Sequence, residues 1–106
     1  MQDIQQTVAR AFTIVDEITA LLEQSADCAV RTQALAAYRA QHAETLTQLT
    51  SDLRQHSLET LRPVIQAEQA QHPRAGQAFR LAMDCAKDPA FAAEWSAISE
   101  LLGGPR

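Results

Sequence analysis

Apolar residues recur once per helical turn from the beginning of the chain, and this repeat restricts the fold more than any other feature. Its members are spaced 4, 3, 4, 3 and 4 residues apart: Ile4, Val8, Ala11, Val15, Ile18 and Leu22. Such spacing places side chains on one face of an α-helix. Phe12, Ile14 and Leu21 widen that face. We therefore expect a helix over residues 3–25 that packs against at least two neighbours.

A second helical pattern, over residues 28–59, predicts that the chain folds back on the first helix. Its apolar face has spacings of 3, 4, 4, 3 and 4 residues: Leu35, Tyr38, His42, Leu46, Leu49 and Leu53. Ser25 and Asp27, between the two patterns, favour a turn and a helix N-cap. Because this connection is short, we expect the two long helices to form an antiparallel hairpin.

Pro63 interrupts the pattern that follows. A proline inside a helix removes one N–H donor and clashes with the carbonyl four residues earlier, here that of Glu59. Two interpretations remain open: a break at 57–60, or one long helix that bends at Pro63. We favour a break or strong kink with Thr60 as N-cap, which places Pro63 in the first turn. Ser57 as N-cap would place it too deep in the next helix.

Shorter helices are predicted for the rest of the chain, over residues 61–71, 74–87 and 89–102, followed by a frayed tail at 103–106. Asp88 followed by Pro89 is typical of a helix start. In the helix over 74–87 we expect four residues to be buried: Phe79, Ala82, Met83 and Ala86. The sequence thus predicts a single all-α domain, in which the shorter helices pack on the hairpin.

The charge of the chain argues against nucleic-acid and membrane partners. The net charge is −4, and the nine Lys and Arg residues form no cluster. A duplex-binding surface needs several cations to displace counterions from phosphates, and no segment approaches the roughly 20 apolar residues of a membrane span. The first residues lack the basic and apolar regions of a signal peptide, so we expect a cytoplasmic protein.

Motifs for catalysis and cofactor binding are missing from the sequence, including a glycine-rich phosphate loop, GxSxG, HExxH and Glu-x-x-His. Cys28 and Cys85 fit no metal spacing. We expect them to be buried reduced thiols, and to form a disulfide only if the fold brings them together. Glu68 and His72 are expected to make a surface contact and not to chelate a metal. The sequence therefore predicts no enzyme, cofactor or metal.

These exclusions favour a small acidic helical interaction module of the chaperone, adaptor or anti-factor type. Such a protein would dock a protein partner through apolar helix faces. The candidate partner-binding residues are Tyr38, His42, Phe91, Trp95 and Ile98. The polar faces of the first two helices carry Gln and Thr more than charged residues, and self-association to a homodimer is therefore a further hypothesis.

Two alternative functions remain open. A pocket between helices would suit a ligand sensor or an enzyme, and would be lined by Tyr38, His42, Met83 and Trp95. A helix-turn-helix over 58–87 would suit a DNA-binding regulator, with Arg62, Arg74 and Arg80 as its cations. The sequence identifies neither the partner nor the ligand.

Overall fold

The computed structural model describes residues 4–101, and the regular structure in this part of the chain is entirely α-helical. The helices are α1 (Ile4–Glu23), α2 (Cys28–Gln41), α3 (Ala43–Arg54), α4 (Leu58–Gln69), α5 (Ala75–Met83) and α6 (Pro89–Leu101). They confirm the predicted fold class, a small all-α bundle. The tail predicted at 103–106 lies outside the described residues.

The first helix is the centre of the bundle. It packs against α2, α3, α4 and α5, while α6 covers α2 and α3. Val8, Ile18 and Leu22 of α1 are fully buried. The other fully buried large apolar residues come from α2, α3 and α6: Leu35, Leu46, Leu49, Phe91 and Ile98. The wide apolar face of α1 is what contact with four neighbours requires.

The stretch predicted as one helix over 28–59 comprises α2, α3 and the first residues of α4. The chain leaves helical geometry at His42, where φ is −113° and ψ is 22°. Two consecutive spacings of four residues, from Tyr38 to His42 and on to Leu46, rotate the apolar face around a straight helix. The break at His42 turns this apolar face back toward the core, where Leu46 and Leu49 are both buried.

The chain breaks before Pro63, but the next helix begins earlier than predicted. Ser57 is the N-cap of α4, and its Oγ accepts a hydrogen bond of 3.2 Å from the backbone N–H of Thr60. Pro63 is therefore the sixth residue of α4, which corrects the assignment of Thr60 as N-cap. The cost is limited because α4 is a surface helix whose only buried residue is Leu61. Water can reach the Glu59 carbonyl there, where the residue is exposed.

The cysteines form a disulfide, which corrects the expectation of two reduced thiols. Cys28 is the first residue of α2, and Cys85 lies 57 residues later in the turn after α5, with the Cα atoms 5.6 Å apart. The fold brings them together because α1 packs against both α2 and α5. Closing so long a loop restricts the unfolded chain and stabilises the fold by about 4 kcal/mol.

The fifth helix is rotated relative to the prediction. Ala82 is buried, as expected, but three residues predicted to be buried are exposed: Phe79, Met83 and Ala86. The inward face consists of Ala78, Ala82 and Cys85. This orientation places Cys85 inward, where it forms the disulfide with Cys28. Small side chains on that side also let α5 approach α1 closely.

Candidate partner-binding surface

Two large apolar side chains project from the outer side of α5. The exposed fraction of Phe79 is 58% and that of Met83 is 61%. They are four residues apart, and so they lie on neighbouring turns of one helical face. Gly76 lies one turn before Phe79, and a Cβ added to it would meet open space. The outer side of α5 therefore presents apolar side chains with free room beside them.

Trp95 of α6 connects this apolar region to the core. Its ring stacks on Phe91, with centroids 6.4 Å apart and planes 10° from parallel. Trp95 also contacts the Phe79 ring edge-on, with centroids 6.4 Å apart and ring planes at 74°. Phe91 is buried, Trp95 is half-buried and Phe79 is exposed. These contacts hold the Phe79 ring in place at the surface. We call Phe79, Met83 and Trp95 the α5 face.

A bidentate ion pair orients the helix that carries Trp95. Arg39 of α2 donates from Nε and Nη2 to Oε2 and Oε1 of Glu94 in α6, each at 3.0 Å. Two parallel hydrogen bonds between planar charged groups fix direction as well as distance. The pair therefore helps to hold Trp95 in its position next to Phe79.

Positive charges flank the α5 face. Arg80 and Lys87 are exposed, and within residues 4–101 neither forms an ion pair. Asp84 lies between them in the sequence and faces Arg31, at 3.9 Å. The region thus combines an apolar centre with a margin of two cations and one exposed carboxylate, a net positive charge, although the whole chain has a net charge of −4.

The five residues predicted to bind a partner do not form one surface. Tyr38, Phe91 and Ile98 are buried in the core and present almost no area to another molecule. His42 lies at the junction of α2 and α3, where its ring contacts that of Tyr38 at 4.2 Å between centroids. Trp95 is the one of the five that borders exposed apolar residues, and it alone becomes part of the candidate surface.

Tyr38 links α2 to α1. Its phenol donates a hydrogen bond of 2.9 Å to Oε2 of Glu17. Burial raises the pKa of Tyr38, and the Glu17 carboxylate raises it further. The phenol therefore keeps its proton, and its role as donor, throughout the physiological pH range.

His72 joins α1 and α4 through two carboxylates. Its Nδ1 lies 2.7 Å from Oδ2 of Asp16, and its Nε2 lies 2.9 Å from Oε1 of Glu68. Hydrogen bonds to Glu68 and Asp16 raise the pKa of His72, and the ring stacks on Phe12. The carboxylates bind opposite edges of the ring and do not converge on one point. Among the described residues, no group of His, Cys, Asp and Glu is arranged to hold a metal.

A buried arginine joins the ends of three helices next to the disulfide. Arg31 is 5% exposed. Its Nε donates to the carbonyl oxygens of Leu22 and Ser25 at 2.9 and 2.7 Å, and its Nη1 donates to that of Leu81 at 3.0 Å. Nη1 also lies 3.7 Å from Sγ of Cys85. Leu22 and Leu81 belong to the last turns of α1 and α5, where carbonyls lack helical partners and a cation is favoured.

The sequence contains a signal for Arg31 but not for the α5 face. Cys28, Arg31, Leu35 and Tyr38 are spaced 3, 4 and 3 residues apart, which places the arginine on the buried face of α2. On α5, the stripe of Phe79 and Met83 and the stripe of Ala78 and Ala82 have the same spacing. Periodicity cannot choose between them, and hydrophobicity favours the stripe that the structure exposes.

The structure adds no support for the two alternative functions. An open depression on the surface is lined by Arg10 and residues of α3, and it includes none of the four residues proposed to line a ligand pocket. Of the three arginines proposed to contact DNA, Arg74 pairs with Glu23 of α1.

Comparisons with other proteins do not supply a function. Within residues 4–101, no helix has the length and apolar character needed to cross a membrane. The chain matches no protein-family model, no curated protein and no solved structure. The geometry of the α5 face is therefore the basis on which a function can be proposed.

Proposed function

We propose that this protein is a protein-interaction module whose α5 face docks an amphipathic helix of another protein, with acidic residues beside the apolar stripe of that helix. The observation that carries the proposal is that Phe79 and Met83 lie side by side and are more than half exposed. Complete burial of a side chain of this kind contributes about 1.5–3 kcal/mol. Each of these two would contribute less on binding, because part of it is already covered.

The α5 face is prepared for binding. The edge-on contact with Trp95 restricts the Phe79 ring before a partner arrives, which lowers the entropy lost on docking. The open space next to Gly76 gives a partner side chain room to pack beside Phe79. Apolar residues on successive turns are the anchors by which helices recognise one another.

The flanking charges support an acidic partner helix. Arg80 and Lys87 would face acidic residues at the margin of the docked helix, which would favour encounter and orientation. A second copy of this chain is a poorer occupant. A two-fold interface brings the same surface patch from each subunit together, so that these cations would face one another.

Fluorescence of the single tryptophan, Trp95, provides a direct test because this ring borders the α5 face. We would titrate the protein with two designed amphipathic peptides of about 18 residues, long enough for five helical turns. Both have the same leucine stripe, and one is flanked by Glu and the other by Lys. We expect the Glu peptide to bind and to change the Trp95 emission, and the Lys peptide to bind at least about tenfold more weakly.

Variants assign the binding to the α5 face. Phe79→Ser and Met83→Ser are expected to abolish binding, whereas Leu58→Ser, at an exposed apolar residue of α4, leaves it unchanged. Equal binding of both peptides, binding that survives the α5 variants, or no binding at all would contradict the proposal. Sedimentation that shows a dimer dissociated by Phe79→Ser would identify a second copy as the occupant instead.

A further inference from the structure

We propose that the Cys28–Cys85 disulfide is a site of thiol–disulfide exchange, at which an external dithiol attacks Cys28 and releases Cys85 as a thiolate beside Arg31. This inference does not depend on the proposed docking function. It rests on the unequal exposure of the two cysteine residues and on the buried guanidinium, whose Nη1 lies 3.7 Å from the sulfur of Cys85.

The two cysteines differ in access. Cys85 is 2% exposed, whereas Cys28 is half-buried at the start of α2. An attacking thiolate must reach a sulfur atom along the line of the disulfide bond, and which sulfur it reaches decides which one leaves. The exposure of Cys28 therefore makes it the attacked atom and Cys85 the leaving group.

Arg31 stabilises that leaving group. Its Nη1 lies 3.7 Å from the Cys85 sulfur, and the Asp84 carboxylate near it is 71% exposed and 3.9 Å away. The C-terminal end of α5 opposes a thiolate at Cys85 with about half an elementary charge. Burial of Cys85, which is 2% exposed, disfavours the thiolate as well, and the full charge of the guanidinium, 3.7 Å from the sulfur, is what offsets both effects.

The exchange is balanced in electrons and protons. The first thiolate of the dithiol bonds to the Cys28 sulfur, the disulfide breaks, and its electron pair goes to Cys85. The second thiol of the reductant loses its proton, attacks the mixed disulfide and releases the Cys28 thiolate. The dithiol becomes a disulfide, and the protein gains two electrons.

Mapping the mixed disulfide tests the direction of attack. The oxidised protein would be treated briefly with reduced glutathione, quenched with acid, digested with trypsin and analysed by mass spectrometry. Cys28 falls in the peptide 11–31 and Cys85 in the peptide 81–87. We expect glutathione on 11–31 in at least about tenfold excess over 81–87. Adducts mainly on 81–87, or a disulfide that reacts only after denaturation, would overturn the proposal.

The pH dependence of alkylation tests the role of Arg31. In the fully reduced protein, the rate at which iodoacetamide modifies each peptide would be followed against pH. We expect Cys85 to titrate at least about one pH unit below the ordinary thiol value of about 8.5. Arg31→Met should remove this shift and Arg31→Lys should keep most of it. If Arg31→Met does not fold, the alkylation profile of the unmodified protein is sufficient. Titration of Cys85 at or above pH about 8.5 in that profile would overturn the inference.

Discussion

Near the start of α2 a charged residue is buried, and on the outer side of α5 large apolar residues are exposed. Each region reverses the usual distribution of charged and apolar residues. At the first, Arg31 is 5% exposed; at the second, Phe79 is 58% exposed. The two regions are in direct contact, because the arginine donates to the carbonyl of Leu81 in α5. What distinguishes them is that the buried arginine is satisfied within the chain, whereas nothing in residues 4–101 covers the phenylalanine fully.

This difference distinguishes a residue that stabilises the fold from residues that we propose bind a partner. Three carbonyl oxygens accept hydrogen bonds from Arg31, and they come from the end of α1, the turn after it and the end of α5. A buried charge with such partners holds helices together. Phe79 and Met83 are exposed, and we propose that a partner covers them. The following predictions test this contrast, from the largest expected effect to the smallest.

Removing the disulfide should have the largest effect on stability. We expect Cys28→Ala combined with Cys85→Ala to lower the free energy of unfolding by about 4 kcal/mol, because the unfolded chain regains the freedom of a loop of 57 residues. Urea unfolding followed by circular dichroism measures the change. The unmodified protein in the presence of a reductant serves as the control and should lose a similar amount. A loss below about 1 kcal/mol would show that the crosslink is not what holds α5 to α2.

Replacing the buried arginine should cost somewhat less. We expect Arg31→Met to lower the free energy of unfolding by about 3 kcal/mol, because it leaves buried carbonyls without donors while keeping most of the side-chain volume. Arg39→Met is the matched control on the same helix. Arg39 is more exposed, and removing it should cost about 1 kcal/mol. Equal losses of stability from the two substitutions would show that the buried, hydrogen-bonded Arg31 contributes no more to the fold than the ion pair of Arg39.

His72 provides a pH-dependent test of the same idea, because it is hydrogen-bonded within the protein to Asp16 and Glu68 but is less buried than Arg31. Its pKa is raised in the folded state, so its contribution to stability is complete below its unfolded pKa of about 6.5 and is lost as pH rises through the folded value. We expect His72→Gln to destabilise the protein near pH 6 and to have a smaller effect near pH 9. Urea unfolding of both proteins at each pH measures this, and a difference that grows with pH would contradict it.

The exposed apolar side chains should have the smallest effect. We expect Phe79→Ser and Met83→Ser each to change the free energy of unfolding by no more than about 0.5 kcal/mol, as is typical of surface substitutions. Phe91→Ala, at the buried end of the same series of rings, is the contrasting variant and should cost about 3–5 kcal/mol. Thermal unfolding compares all three. A large loss from Phe79→Ser would mean that this ring serves the fold instead of a partner.

Interruptions of the helices show how far the sequence could predict the chain path. The break before Pro63 was predictable, since proline removes a donor and clashes with the preceding turn. The N-cap was not, because Ser57 and Thr60 are both good caps and a surface helix can accommodate a proline in its second turn. The break at His42 was not predicted either, because an apolar spacing compatible with one continuous helix persists across it.

The sequence by itself determined that the protein is helical and that α1 is apolar over a wide face, because side chains repeating at the helical period must be buried together. The tertiary structure alone decided which side of α5 faces inward. Two apolar stripes with equal spacing compete on α5, and long-range contacts select between them: the disulfide to Cys28 and the hydrogen bond from Arg31 to Leu81. Such contacts join residues 50 and 57 positions apart, and no local pattern can encode them.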